Sequence, residues 1–187
     1  TNSSGVLSFV DAPSGGMALI SSGVISSSVS ALSIDNIFSG TYRNYKILIT
    51  ELSTTNDSSN SQIYGRLLKY SDGSELSNSK YDWATQGMYF SNSAGANVSN
   101  GGGVNQNYFK MSDNNVDSDT AYATNFSIEI FNPFSTSSYC HMFLQAISHH
   151  QDGAEQYNRF SAITYKDNYD NSNYARGIKI YPSGGNL

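Results

Sequence analysis

The sequence predicts an all-β protein, an antiparallel β-sandwich of jelly-roll type with about ten strands. Short runs of alternating apolar and polar residues dominate the chain, and they are rich in Val, Ile, Tyr, Phe and Leu, as is typical of strands. Clusters of Gly, Asn, Asp and Ser separate these runs and indicate turns. No window of ten or more residues repeats its apolar positions every three to four residues, as a helix requires.

The alternating runs place the predicted strands in chain order. They cover residues 17–25, 29–34, 42–52, 62–70, 81–90, 104–111, 121–131, 139–148, 157–165 and 175–181. Two polar stretches between strands, 91–103 and 166–174, are predicted to be long loops. Loops on a rigid sandwich often carry binding residues, although a solvated connector is an equal alternative for both.

The run 42–52 is apolar on both faces. Tyr45, Ile47 and Ile49 share one face, and Leu48 lies on the other. This pattern predicts a central strand, covered on one side by the second sheet and on the other by a loop or a neighbouring subunit.

The run FSIEIF gives the clearest alternation in the chain. It turns Phe126, Ile128 and Ile130 inward and Ser127 and Glu129 outward. Glu129 is the only acid deep inside an apolar run, so no carboxylate is predicted to lie in the apolar pocket that glycoside cleavage needs. The chain also lacks a G-x-S-x-G elbow, a phosphate loop and a Rossmann glycine pattern. We therefore expect a protein that is not an enzyme.

Serine and asparagine dominate the polar residues, with 33 Ser and 20 Asn among 187 positions. Charged residues make up only 13%, against about 25% in ordinary globular proteins. Ten scattered Lys and Arg residues in a chain of net charge −5 do not form the basic patch that phosphate binding requires. Nucleic acid is thereby excluded as a partner. No apolar run approaches the roughly 20 residues that span a bilayer, so membrane insertion is not expected either.

Cys140 is the only cysteine, so an internal disulfide is impossible. It lies in an apolar run, which predicts an unreactive thiol buried in the core. A nucleophilic pair with His141 is disfavoured because adjacent residues of a strand point to opposite faces.

The strongest metal candidate is the segment SDNNVDSD, which offers oxygen ligands at every second position. These are Asp113, Asn115, Asp117 and Asp119. Such ligands can converge on calcium when the backbone curls into a loop. The pattern departs from a calcium-binding loop at its sixth and twelfth positions, which are Ser and Thr where Gly and a carboxylate are needed. A solvated acidic loop is the favoured alternative, and no cofactor is expected.

Aromatic residues mark the candidate ligand-binding positions. Tyr81, Trp83 and Tyr89 lie close together in one predicted strand, and Tyr169 and Tyr174 lie in the second polar loop. Aromatic rings can stack on sugar rings while neighbouring amides and carboxylates bind the hydroxyls. The alternative is that Trp83 and Tyr89 fill the core.

The first sixteen residues do not resemble the start of a compact domain. They contain one short apolar run, GVLSFV, followed by a hinge with Pro and Gly-Gly. This stretch resembles the end of a repeat common in bacteriophage tail fibres and related virion appendages. The matching residues are Asn2, Ser4, Gly5, Leu7, Ser8, Phe9, Val10, Asp11 and Ala12.

The resemblance continues along the chain. The stretch 17–49 is similar to the opening of a structural domain frequent in marine and cyanobacterial phages, and the runs IEIFNPF and RGIKIYPSGGNL fit later parts of it in the same order. The residues that match the opening are Ile34, Phe38, Tyr42, Tyr45, Ile47 and Ile49.

The family pattern also implies a domain organisation. Residues 1–16 would be the end of a stalk repeat or a linker, and 17–187 a β-sandwich domain. The family places one more strand after the position where this sequence stops. We therefore expect the edge around 175–181 to be paired rather than solvent-exposed, with another subunit as one candidate partner.

Composition and resemblance together predict a non-enzymatic phage virion structural protein. It would be a tail-fibre or capsid surface-decoration domain involved in host attachment, located in the virion. The expected partners are other virion proteins, further copies of the chain in a homotrimer, and a host-surface glycan. The alternatives are a carbohydrate-binding module of an extracellular bacterial protein and a small capsid cement protein.

Overall fold

A computed structural model describes residues 17–55, 61–91, 95–112, 116, 123–149, 155–167 and 174–187. Ten strands lie in these ranges and form two antiparallel sheets, which confirms the predicted all-β sandwich. The strands are β1 (Leu32–Ile34), β2 (Asn44–Leu52), β3 (Ile63–Lys69), β4 (Tyr81–Ser91), β5 (Gly95–Gln106), β6 (Phe109–Lys110), β7 (Thr124–Phe131), β8 (Cys140–His149), β9 (Glu155–Tyr165) and β10 (Ala175–Pro182). Within these ranges, no helix has the length and hydropathy needed to cross a membrane.

The two sheets differ in size. The small sheet has the strand order β1-β10-β3-β6, and the large sheet has the order β2-β7-β8-β9-β4-β5. One apolar core lies between them and takes side chains from both, including Leu67 and Ile178 from the small sheet and Leu144 and Ile163 from the large one. Each sheet therefore has an inner face in the core and an outer face turned away from it.

Strand β7 follows the predicted alternation. Phe126, Ile128 and Ile130 are at most 3% exposed, and Ser127 and Glu129 point outward. The inner side chains of β7 pack directly on those of β8, where Ile128 faces Leu144. The period-two pattern is reliable here because both neighbours of β7 belong to the same sheet.

The two apolar faces of β2 predicted a central strand, and this prediction is wrong. Strand β2 lies at the edge of the large sheet. Among the described residues it pairs only with β7. Tyr45 is buried and Ile49 half-buried on the inner face, whereas Leu48 on the outer face is 68% exposed. The second apolar face of β2 is therefore an exposed surface that no described part of the chain covers.

The strand predicted at 17–25 does not form. Met17, Leu19 and Val24 are 85–91% exposed, and the first strand of the small sheet begins only at Leu32. Within 17–31, the backbone hydrogen bonds to the rest of the described chain are those of Val29, whose N–H and C=O bond to Leu187. Alternation alone does not make a strand where no neighbouring strand offers its backbone groups.

The loop predicted at 91–103 is largely strand. β5 begins at Gly95 and pairs along its length with β4, so the two strands form a hairpin at the far edge of the large sheet. The predicted strand 104–111 divides between the end of β5 and the short strand β6. Backbone hydrogen bonds, rather than buried apolar side chains, hold β5 in place.

The stretch 175–181 was expected to be a paired edge. It is paired, but within the chain, and it is not an edge. β10 lies between β1 and β3 and pairs with both. A bulge at Arg176 lets the backbone of Gly177 pass close to the end of β1, where a Cβ would meet the backbone of Asp35 at 2.9 Å. The predicted stalk repeat at 1–16 lies outside the described residues.

Cys140 is fully buried, as predicted. Burial raises the pKa of its thiol, which leaves the sulfur protonated and unreactive at neutral pH. His141 is exposed on the opposite face, where its Nδ1 lies 3.1 Å from Thr164 Oγ1.

Candidate functional site

Tyr81, predicted as a ligand-binding residue, is a core residue. It is 0% exposed, and its ring centroid lies 4.7 Å from that of Tyr165. The Leu67 N–H donates a hydrogen bond to the Tyr81 hydroxyl (2.9 Å). Burial raises the pKa of Tyr81. A surface ligand cannot reach this ring, because the alternation of β4 turns it into the sandwich.

Trp83 and Tyr89 lie on the same inner face of β4 and are half-buried. The Trp83 indole covers two glycines of β5: a Cβ on Gly103 would lie 2.8 Å from Trp83 Cε2, and one on Gly101 would lie 3.8 Å from Cζ3. The Nε1 atom of Trp83 is shielded from solvent. Trp83 packs against the core, so the geometry favours the packing role over the ligand-binding one.

Tyr174 belongs to an aromatic cluster with two residues that the sequence did not single out. Its ring stacks on Tyr70 at 4.6 Å, and Phe134 packs edge-on against both at 4.7–4.9 Å. Arg176 joins this cluster to β1, donating to the Tyr70 carbonyl and to both Asp35 carboxylate oxygens. The hydrogen bond from Arg176 lowers the pKa of Asp35. Tyr169 lies outside the described residues.

The predicted metal ligands Asp113, Asn115, Asp117 and Asp119 also lie outside the described residues. In the part of the chain that the structure describes, no three His, Cys, Asp or Glu side chains come together as a metal site would require. Calcium binding at 113–119 remains a prediction.

A buried arginine occupies the inner face of β9. Arg159 is 4% exposed, and its Nη2 donates a hydrogen bond to Thr85 Oγ1. The hollow beside it has a volume of about 10 Å³ and is lined by Ser112, Ala146 and Ser148, among others. A space of that size holds at most one water molecule, so nothing larger fits in the hollow beside Arg159.

The outer face of the small sheet carries a group of tyrosines that we call the tyrosine face. Tyr64 of β3 stacks on Tyr108 with ring centroids 4.3 Å apart, and Tyr181 of β10 meets Tyr64 edge-on at 5.8 Å. Tyr64 and Tyr181 are direct cross-strand partners. All three side chains are half-exposed, so the rings form a shallow aromatic surface on the outside of the sandwich.

Charged side chains continue the tyrosine face along the same strands. Arg66 of β3 and Lys179 of β10 are cross-strand partners, and both form ion pairs with Glu75. The Arg66 guanidinium carbon lies 5.0 Å from the centre of the Tyr181 ring, and the Lys179 ammonium lies 5.9 Å from it. Burial raises the pKa of Glu75, but hydrogen bonds from Lys179 and Arg66 outweigh it, so the pKa is lowered overall.

The outer face of the large sheet carries exposed apolar side chains among polar ones such as Ser127 and Gln145, and we call it the apolar face. Phe143 of β8 and Phe160 of β9 stack at 6.2 Å and are 44% and 39% exposed. Exposed aliphatic side chains lie on either side of this pair. They are Leu48 (68%), Ile147 (39%) and Met88 (49%).

Sequence reasoning missed both faces, although the period-two signal was present in each. Tyr64 and Arg66 lie two positions apart in β3, as do Lys179 and Tyr181 in β10. Their meeting depends on β3 and β10 being neighbours, and residue spacing does not predict which strands pair.

Comparisons of the chain with protein-family models, with curated proteins and with solved structures found no match.

Proposed function

We propose that the chain is a non-enzymatic structural domain of a phage virion, a tail-fibre or surface-decoration domain that takes part in host attachment. The resemblance of the opening residues to phage appendage proteins supports the placement in a virion. The observation that carries the proposal is the apolar face, which an isolated chain leaves exposed to water.

The size of the apolar face suits a subunit interface. Between β8 and β9 it has four outward rows, from His141 to Ile147. Six strands about 4.8 Å apart and rows roughly 7 Å apart give a face on the order of 700 Å². A standard protein interface buries about 800 Å² per partner, so the whole outer face, polar residues such as Ser127 and Gln145 included, has about the extent of one.

The charges of the apolar face favour further copies of the same chain as its partner. Lys46 and Glu129 lie on this face and pair with each other at 3.4 Å, so the face carries no net charge there. A second copy would bring the same balanced pair and no unmatched charge. In a homotrimer, three apolar faces would turn toward a common axis and cover one another.

The segment before β1 supports assembly independently. Met17, Leu19 and Val24 have almost no contact with the rest of the described chain, since 85–91% of each is exposed. Burying such side chains against a neighbour removes apolar area from water at about 25 cal/mol per Å².

Sedimentation velocity over a range of protein concentrations tests the assembly. The chain of 20.3 kDa should sediment as a trimer, and the double variant Phe143→Ser, Phe160→Ser should sediment as a monomer. The matched control is Tyr42→Ser, which removes a ring of equal exposure (43%) that precedes β2 and packs edge-on against Tyr45. A native monomer at all concentrations would contradict the proposal, as would a trimer that survives the double substitution. If the native chain is instead a dimer and the double substitution dissociates it, the apolar face is still the interface, but the arrangement is twofold rather than threefold.

The second candidate function is a carbohydrate-binding module of an extracellular bacterial protein. The tyrosine face favours it, because exposed aromatic rings beside charged groups suit a glycan. The coding sequence around the gene discriminates between the two candidates. Neighbouring virion genes favour the first, and an adjoining hydrolase or a secretion signal favours the second.

A further inference from the structure

We propose that the tyrosine face is a binding site for a carboxylated saccharide, such as a uronic or sialic acid. This inference takes one element from the proposed function, namely that the apolar face is buried in the assembly. The tyrosine face belongs to the other sheet and remains turned outward.

The aromatic part of the site suits the apolar side of a sugar ring. Tyr64 and Tyr108 stack with an interplanar angle of 26°, so their rings lie nearly parallel. Tyr181 stands at 70° to Tyr64 and borders the pair. A pyranose presents C–H groups on one side and hydroxyls on its rim, and it can rest on such rings at little entropic cost because tyrosine has few rotatable bonds.

The charges of the site favour an acidic ligand. Arg66 and Lys179 share one carboxylate, that of Glu75, so two cations face one anion and one positive charge is not balanced. The three charged side chains are 21–29% exposed, which leaves them accessible from solvent. In a chain of net charge −5, this local excess of positive charge attracts a carboxylate.

The hydrogen-bonding groups left at the site match a sugar acid. The Arg66 Nε donates to the Asn107 carbonyl (2.8 Å) and Nη1 to Glu75. Among the described residues, Nη2 has no acceptor, and the only acceptor of the Lys179 ammonium is Glu75. Both can therefore donate to a ligand carboxylate, and donors to a carboxylate form the stronger class of hydrogen bond.

An acidic peptide fits this surface less well. Peptides that add to a sheet bind along a free strand edge and use pockets for alternate side chains. The tyrosine face instead lies across the paired strands β10 and β3, whose backbone groups already bond to each other.

Titration calorimetry with three carboxylated saccharides tests the inference: oligogalacturonate, a hyaluronate oligomer and sialyllactose. The matched ligand control is methyl-esterified oligogalacturonate, which keeps the sugar rings and removes the charge. At least one of the three acids should bind. If oligogalacturonate binds, its methyl ester should bind more weakly by about tenfold or more, because the ester loses a hydrogen bond to a charged group. Rising salt should weaken binding as well.

Two variants probe the two parts of the site. Tyr108→Ala removes half of the stacked pair and Lys179→Gln removes one donor, and each should weaken binding by about tenfold. The control variants are Tyr42→Ala and Arg43→Gln, whose exposed side chains lie outside the tyrosine face. Circular dichroism and urea unfolding of each variant separate lost binding from lost folding.

Several outcomes would overturn the inference. They are no binding of any of the three acids at millimolar concentration, equal binding of the ester, unchanged binding in both site variants, and selective binding of an acidic peptide such as oligoglutamate. Sedimentation is read separately, so a trimer that binds no acid would refute this inference and leave the proposed assembly standing.

Discussion

Gly65 should not tolerate a side chain. It lies in β3 directly opposite Phe109 of β6, and Phe109 is fully buried. A Cβ on Gly65 would lie 2.9 Å from Phe109 Cε1 and closer still to two other carbons of the same ring. Non-bonded carbon atoms normally keep about 3.5–4.0 Å apart. In Gly65→Ala the ring must therefore retreat by more than about 1 Å inside a filled core.

Two opposing effects set the size of the change. Replacing a strand glycine by alanine stabilises the folded state by about 0.5–1 kcal/mol, because the unfolded chain loses freedom. Overpacking a core costs about 1–3 kcal/mol. Because the clash involves a ring with no exposed surface, we expect the second effect to dominate and the free energy of unfolding to fall by about 1–2 kcal/mol.

Urea unfolding followed by Trp83 fluorescence, at one fixed protein concentration, measures the difference. Gly23→Ala is the control, since nothing lies within 4 Å of a Cβ at that position, and its midpoint should not move. In the background of Phe109→Leu, the effect of Gly65→Ala should shrink, which a double-mutant cycle detects. A Gly65→Ala protein as stable as the native one would refute the reasoning, as would an effect that Phe109→Leu leaves unchanged.

Two further predictions concern buried and charged hydrogen bonds. Tyr81→Phe should lower the free energy of unfolding by about 1–3 kcal/mol, because it leaves the buried Leu67 N–H without the hydroxyl acceptor that it now meets at 2.9 Å. Urea unfolding should show no such loss in Tyr42→Phe, and equal stability of the two variants would contradict this account. The second prediction is that the stabilisation from Asp35 depends on pH. The hydrogen bond from Arg176 lowers the pKa of Asp35 from 3.8, so its contribution is complete above pH 3.8 and is lost as the pH falls through the folded-state pKa. The urea midpoints of the native protein and of Asp35→Asn should therefore become equal on acidification. A difference between them that does not change with pH would show that the ionised carboxylate does not stabilise the folded state.

The parts of the fold that sequence predicted well are those in which apolar side chains define the inner face. Phe126, Ile128 and Ile130 are the clearest example, because a strand in the middle of a sheet must bury every second residue. The thiol of Cys140 was predictable for the same reason. Tyr81 was placed on the right strand, but alternation alone does not say which of the two faces enters the core.

The parts that sequence could not predict depend on neighbours distant in the chain. The stretch 17–25 alternates as a strand does and yet pairs with no strand of the described chain, whereas β5 pairs with β4 from Gly95 to Gly103 and shows almost no apolar alternation. The tyrosine face assembles residues from β3, from β10 and from the stretch before β6. Its composition was visible in the sequence, but its existence follows only from the order of strands in the small sheet.

The indole of Trp83 restricts the alignment of the β4–β5 hairpin at Gly103. β5 is rich in Gly, Asn and Ser, and strands of that kind slip easily because few side chains distinguish one alignment from the next. The residues of β5 on the Trp83 side are Ser99, Gly101, Gly103 and, beyond the bulge, Gln106, and the ring covers the two that have no Cβ. The Gly103 position is the one too close to the ring for a side chain, since a Cβ there would lie 2.8 Å from Trp83 Cε2. Trp83 thus disfavours those misaligned hairpins that would bring a residue other than glycine to that position.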